Sequence, residues 1–66
     1  MWFISFQTFE SCHVWFFDNE IAFDFAYEKI DREWGINDYG KVGDKRPFSS
    51  VEEFDTEWKD FMESYC

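Results

Sequence analysis

The sequence predicts a small two-layer α+β domain, in which an N-terminal antiparallel β-hairpin packs against two helices in the order ββα(β)α. Three observations predict it: strand alternation near the N-terminus, an amphipathic helical stripe near the C-terminus, and a segment between them that holds all three glycines and the one proline. Sixty-six residues make one domain, 1–66. Such a short chain needs a bulky core, and ten Phe, four Trp and three Tyr can provide it.

The first two elements are predicted to be the strands of the hairpin. Trp2, Ile4 and Phe6 recur at every second position, which places them on one face of a strand. Residues 12–17 are rich in aromatic residues and favour a second strand. Residues 10–11 supply the turn, so the two strands pair in antiparallel fashion.

The segment after the hairpin fits two structures. Apolar residues alternate over 21–27, which is typical of a strand. A helix explains more of the segment, because Asp18 or Asn19 can cap its start and Gly35 can close its end. We therefore expect a helix, whose apolar stripe is Phe23, Tyr27, Ile30 and Trp34 with Ala26 beside them.

Residues 35–48 form the predicted loop region, with a possible short third strand at 38–42. The last element is a helix. Ser50 and Glu53 have the spacing of a capping box, and Asp55 and Lys59 are placed for an i,i+4 ion pair. The apolar side of this helix is predicted to be Val51, Phe54, Trp58, Phe61, Met62 and Tyr65.

The sequence favours binding over catalysis. Cys12 and His13 are neighbours on a strand, so their side chains point to opposite faces and are badly placed to share a proton. Cys12, His13 and Cys66 lack the spacing of a zinc site, and we expect no metal and no cofactor. No secretory signal precedes the first strand, so two thiols in a reducing cytoplasm are expected; a Cys12–Cys66 disulfide is the less favoured alternative.

The charge of the chain narrows the class of partner. Fifteen acidic residues against six basic ones give a net charge of −9, which opposes direct binding to nucleic acid or to an anionic membrane. The chain also contains no apolar run long enough to cross a bilayer. The acid is concentrated on the two predicted helices, whereas residues 35–48 carry a small positive excess. A basic surface on another protein is therefore the expected partner.

The acidic residues of both helices recur at helical spacing, so each helix should carry a row of carboxylates. Such rows can imitate a phosphate backbone, although a well-charged surface that only confers solubility is the alternative. Exposed tryptophans would add apolar contacts to the acidic rows. The predicted partner-binding residues are Glu20, Asp24, Glu28, Asp31, Glu53, Glu57, Asp60, Trp15 and Trp34.

In size, acidity and aromatic content, the chain is similar to the tiny acidic proteins that phages and mobile elements use against host nucleic-acid enzymes. This resemblance implies an inhibitor that mimics nucleic acid and blocks the basic groove of a DNA- or RNA-processing or defence enzyme. The alternative is a non-catalytic interaction module, either a homodimer or a subunit of a larger assembly, that buries its surplus aromatic residues at an interface.

Overall fold

A computed structural model describes residues 1–65 and confirms the predicted α+β class and element order. The segment after the hairpin is a helix, so the strand alternative for residues 21–27 is wrong. Cys66 lies outside the described residues, as does any disulfide or metal site that would include it. The five elements are β1 (Trp2–Gln7), β2 (Cys12–Phe17), α1 (Glu20–Glu33), β3 (Asp38–Lys41) and α2 (Val51–Tyr65).

The three strands form one antiparallel sheet in the order β2-β1-β3. The predicted hairpin is confirmed, and the possible third strand forms at Asp38–Lys41. This strand pairs with β1, so the first strand of the chain becomes the central one. Ile4 stands opposite Trp15 on one side and Tyr39 on the other, so these three side chains share a face of the sheet.

The residues that cap the two ends of helix α1 are ones that the sequence identified. The Asn19 side chain accepts hydrogen bonds from the backbone N–H groups of Ile21 (2.8 Å) and Ala22 (3.2 Å), which caps the helix start. Gly35 has a φ of +81° and donates its N–H to carbonyls of the last turn, as a C-terminal glycine does. Ala22 and Ala26 are fully buried, which lets the helix backbone approach the sheet closely.

Helix α2 starts at a modified capping box. Ser50 Oγ accepts the backbone N–H of Glu53 at 3.1 Å, as predicted. The Glu53 carboxylate reaches back to Ser49 rather than to Ser50. The predicted apolar stripe is confirmed, because Phe54 and Trp58 are buried and Val51, Phe61 and Met62 are partly buried against the core. Tyr65 is half-buried, with its ring centre 4.6 Å from that of Phe61.

The core lies between one face of the sheet and both helices. Rings from α1 and α2 reach the sheet directly: Phe23 stacks on Trp2 at 4.8 Å, and Phe61 meets Phe6 edge-on at 5.8 Å. Within residues 1–65, no helix packs against the opposite face of the sheet, so the fold has two layers. The core consists of Ile4, Phe6, Phe17, Ala22, Phe23, Ala26, Ile30, Phe54 and Trp58.

Candidate protein-binding surface

Four carboxylates form a continuous row along α1. Their positions repeat at intervals of four, four and three residues, which keeps them on one side of a helix. All four side chains are exposed, and none has an ion pair within residues 1–65. We call this row the α1 ridge; it consists of Glu20, Asp24, Glu28 and Asp31.

The α1 ridge lies on the side of α1 that faces away from α2. Lys29 marks the α2 side, because its Nζ lies 2.6 Å from Asp55 Oδ1. Successive residues of a helix are rotated by about 100°, so Glu20 lies opposite Lys29 and Asp31 nearly so. Tyr27 lies at the sheet side of the ridge, where its ring meets that of Tyr39 on β3.

Two tyrosines extend the α1 ridge with aromatic surface. The rings of Tyr27 and Tyr39 meet edge-on at 5.1 Å, and Tyr39 remains 54% exposed. Next to them, Lys41 Nζ lies 5.0 Å from the centre of the Trp2 ring. Tyr39 was not among the residues predicted from the sequence, although it belongs to the short third strand that the sequence allowed. This flank therefore combines acid with an exposed phenol ring that can receive a cation.

The carboxylate row of α2 is less available than the α1 ridge. Glu53 Oε2 accepts hydrogen bonds from Ser49 Oγ at 2.8 Å and from the Ser49 backbone N–H at 3.2 Å. These bonds, with the nearby charge of Arg46, lower the pKa of Glu53. Because Glu53 is engaged in capping the helix, Glu57 and Asp60 are the exposed members left for a partner.

The two rows do not form one surface. Lys29 and Lys59 both approach Asp55, at 2.6 and 3.7 Å, in the seam between the helices. The hydrogen bond from Lys29 is the main cause that lowers the pKa of Asp55. Glu57 lies about 160° around α2 from Asp55, given about 100° per residue. The structure therefore separates the two predicted rows onto opposite flanks of the helix layer.

Trp15 is not the surface anchor that the sequence predicted. Its side chain is half-buried on the helix-covered face of the sheet and packs against the core. Its ring centre lies 5.3 Å from that of Phe54 and 5.7 Å from those of Phe6 and Trp58. This placement follows from the register, because Trp15 stands opposite Ile4, which is fully buried.

Trp34 is also half-buried, at the C-terminal end of α1. Its Nε1 is buried and has no hydrogen-bond partner within residues 1–65. The ring meets Phe9 edge-on at 5.3 Å and lies 6.0 Å from Tyr65. Phe9, in the hairpin turn, is 91% exposed, so it is the more accessible ring at this end of the molecule.

Cys12 and His13 lie on opposite faces of the sheet, as predicted. Cys12 is exposed, whereas the His13 ring stacks on Phe6 at 5.3 Å on the helix-covered face. His13 Nε2 lies 3.0 Å from Ser11 Oγ and 3.2 Å from Tyr65 Oη. Residues 1–65 contain no group of three metal-binding side chains and no pocket. Among residues 1–65, His13 thus has two hydroxyl neighbours, and the thiol of Cys12 lies on the other face of the sheet.

Comparisons with protein-family models, curated proteins and solved structures find no match to this chain. In the part of the chain that the structure describes, neither helix is long and apolar enough to span a bilayer. The surface geometry is therefore the basis for a functional proposal.

Proposed function

We propose that this chain is a small non-catalytic inhibitor that occupies the basic nucleic-acid groove of a DNA- or RNA-processing or defence enzyme in the cytoplasm. One observation carries the proposal. The α1 ridge presents four exposed carboxylates without an ion pair among residues 1–65, while both Lys29 and Lys59 contact the single carboxylate of Asp55. Arg32, the other basic residue of the two helices, has no ion pair among residues 1–65, so no basic side chain of either helix pairs with the ridge.

The α1 ridge has an energetic cost to the fold. Its three neighbouring pairs of like charges each destabilise a helix by about 0.2–0.5 kcal/mol, or about 1 kcal/mol together. A domain of this length has a free energy of unfolding of only roughly 3–10 kcal/mol. A surface that serves solubility alone can intersperse both signs of charge and avoid this cost. A partner that carries positive charge would offset the repulsion when it binds.

The density of charge on the α1 ridge is close to that of a nucleic-acid strand. Glu20 and Asp31 are eleven residues apart, which corresponds to about 16 Å along a helix axis. One strand of B-form DNA places about five phosphates along the same axial length, against four carboxylates here. Arg and Lys side chains that bind phosphate oxygens also bind carboxylates. A groove spaced for phosphates can therefore engage the ridge.

The remaining acidic and aromatic groups extend this contact. Glu57 and Asp60, on the opposite flank, would face a second wall of a groove, much as the two strands of a duplex do. Tyr39, with Tyr27 beside it, takes the anchoring role that the sequence assigned to Trp15 and Trp34, because an Arg side chain can stack on an exposed phenol ring. Charge would speed association and the tyrosine contact would slow dissociation.

The test begins with capture of partners from lysate on the immobilised chain at low and at high salt. Each recovered enzyme is then purified, and we measure how much chain displaces it from a labelled DNA or RNA duplex. The wild-type chain should compete with the duplex at low salt and lose affinity steeply as salt rises. Replacing the α1 ridge (E20Q/D24N/E28Q/D31N) should weaken competition by roughly tenfold or more, since several charge-assisted contacts are lost together.

A matched variant separates the ridge from bulk acidity. Glu10, Asp18, Asp44 and Glu63 are exposed and lie outside both rows, and their amide variant has the same net charge as the ridge variant. This control should retain most of the affinity. Equal losses in the two variants would show that only net charge matters. Failure of the wild-type chain to displace nucleic acid from any captured enzyme would overturn the proposal.

A further inference from the structure

The sheet has a second face that no helix covers. Because side chains alternate along a strand, the residues between the core positions of each strand point to this side. Phe3 and Phe16 stand opposite each other there, with ring centres 6.5 Å apart, and Val14 beside them is 47% exposed. We call this surface the open face; it consists of Phe3, Ser5, Gln7, Cys12, Val14, Phe16, Asp38 and Gly40.

The open face is more apolar than a solvent-facing sheet requires. Antiparallel sheets usually place polar residues on their wet side, yet the row at one end of this face is Phe16, Phe3 and Gly40. In contrast, parts of the two sheet edges already have hydrogen-bond partners within the chain. Asp38 Oδ1 accepts the outward N–H of Tyr39 at 2.9 Å, and Phe48 hydrogen-bonds to the end of β2. The structure thus favours contact through the face over pairing at an edge.

The charge layout also favours this face for contact with another acidic molecule. Asp38 is the one charged residue among its eight positions, on the β3 border. Lys45 lies on the β2 border, with Nζ 5.8 Å from the centre of the Phe16 ring. Both carboxylate rows belong to the helices, which pack against the other face of the sheet. The open face is therefore nearly neutral on a chain whose net charge is −9.

We propose that a second copy of this chain packs its open face against the first, with a two-fold axis parallel to the strands. That axis places β2 of each copy over β3 of the other, so Lys45 of one copy approaches Asp38 of its partner. The apolar row of each sheet then covers the apolar row of the other. The carboxylate rows stay on the helix side of each copy, separated by the two sheets, and sheets packed face to face are about 10 Å apart, more than the screening length of about 8 Å.

The size of the open face sets the strength of this dimer. Six residues along β1 and three strands across cover roughly 20 Å by 14 Å. That area is well below the roughly 800 Å² that each partner buries in a standard interface. We therefore expect a weak dimer with a dissociation constant between about 1 µM and 1 mM. The dimer is independent of the proposed inhibitor function, because it uses the opposite side of the molecule from the α1 ridge.

Sedimentation equilibrium from about 0.5 µM to 2 mM, a range that spans the expected dissociation constants, tests the proposal. The wild-type chain should pass from monomer to dimer, and the dimer should strengthen as salt rises, because salt screens the repulsion between two acidic chains. Binding through the α1 ridge should weaken under the same conditions, so the two proposals can fail separately. A chain that stays monomeric at the top of this range in high salt would overturn the dimer.

Two pairs of variants locate the interface. Ser5→Lys and Ser5→Glu change net charge in opposite directions on the central strand of the open face, where the two-fold axis sets Ser5 of each copy against Ser5 of the other, and both should weaken the dimer by at least about tenfold, as a buried unpaired charge does. Ile21, on α1, is 73% exposed and away from the open face, so Ile21→Lys and Ile21→Glu are the matched controls. Val14→Glu, which the same axis sets against Asp38 of the partner, is a further variant in case the Ser5 changes unfold β1. Dimerisation unchanged in the Val14 and Ser5 variants would overturn the proposed face.

Discussion

The two faces of the sheet are made from the same strands and have opposite roles. Phe6 on β1 is fully buried under α2, whereas Phe3, three residues earlier, points to the side without helices. On β2, Trp15 packs into the core and its neighbour Val14 is 47% exposed. Aromatic content alone therefore does not distinguish residues that hold the fold together from those available to a partner. The register of the sheet decides it.

The two faces should differ most in how much the free energy of unfolding falls when an aromatic ring is removed from each. Phe6 contacts the rings of Trp15, Trp58 and Phe61, so Phe6→Ala leaves a cavity in the centre of the core. We expect a loss of about 3–5 kcal/mol in the free energy of unfolding. This is a large part of the roughly 3–10 kcal/mol available to a chain of this length. Urea titration followed by circular dichroism measures it.

Phe3→Ala is the matched change on the open face of the same strand. Its ring is half-buried and packs mainly on Phe16 and Gly40, so the loss should be about 1 kcal/mol or less. Equal losses in the two variants would mean that the open face is as well packed as the core, which would contradict the two-layer description.

On the open face, a substitution that strains the backbone should lower stability more than one that removes a side chain. Gly40 has a φ of +157°, and a Cβ at this position would lie 3.4 Å from Cε1 of Phe3. A side chain there strains the backbone, so Gly40→Ala should cost about 1–3 kcal/mol. A Cβ added at Gly43 would have no atom within 4 Å, which makes Gly43→Ala the control with little effect. If Gly40→Ala left the free energy of unfolding unchanged, the backbone of β3 would have to relax easily at this edge of the sheet.

Periodicity along the chain was sufficient to predict the hairpin and α2, because each depends on neighbouring residues. Helix α1 also needed its capping signals, since the alternation over 21–27 fits a strand as well. Asn19, Gly35 and Ser50 also had local signals, and the structure confirms their capping roles. The partner of β3 could not be predicted, since pairing between residues 2–5 and 38–41 depends on tertiary packing. For the same reason Trp15 looked like a surface residue.

The sequence predicted which residues form the α1 ridge, but not how the two carboxylate rows are arranged in space. Helical spacing identified the α1 ridge, whose members are all exposed. Spacing could not show that the two rows lie on opposite flanks, because this depends on how α1 and α2 pack. Nor could it show that Glu53 is held by Ser49, or that Lys29 reaches Asp55 across 26 positions of sequence.

The smallest effect we predict concerns the seam between the helices, and it depends on pH. The hydrogen bond from Lys29 lowers the pKa of Asp55 in the folded state below its unfolded value of 3.8. The stability from this contact is therefore complete above pH 3.8 and is lost as pH falls through the lower folded pKa. Asp55→Asn should lower the unfolding temperature at neutral pH, and its difference from wild type should shrink below about pH 4.

A second variant separates the effect of this contact from the weaker repulsion between carboxylates when all of them are protonated in acid. Glu57 is exposed on the same helix, so Glu57→Gln removes one carboxylate without breaking the Lys29 contact. Its unfolding temperature should equal or exceed that of wild type at neutral pH, because one repulsive charge is gone. A difference for Asp55→Asn that does not shrink as pH falls below 3.8 would contradict the ion pair, since protonation of Asp55 removes the charge that Lys29 binds.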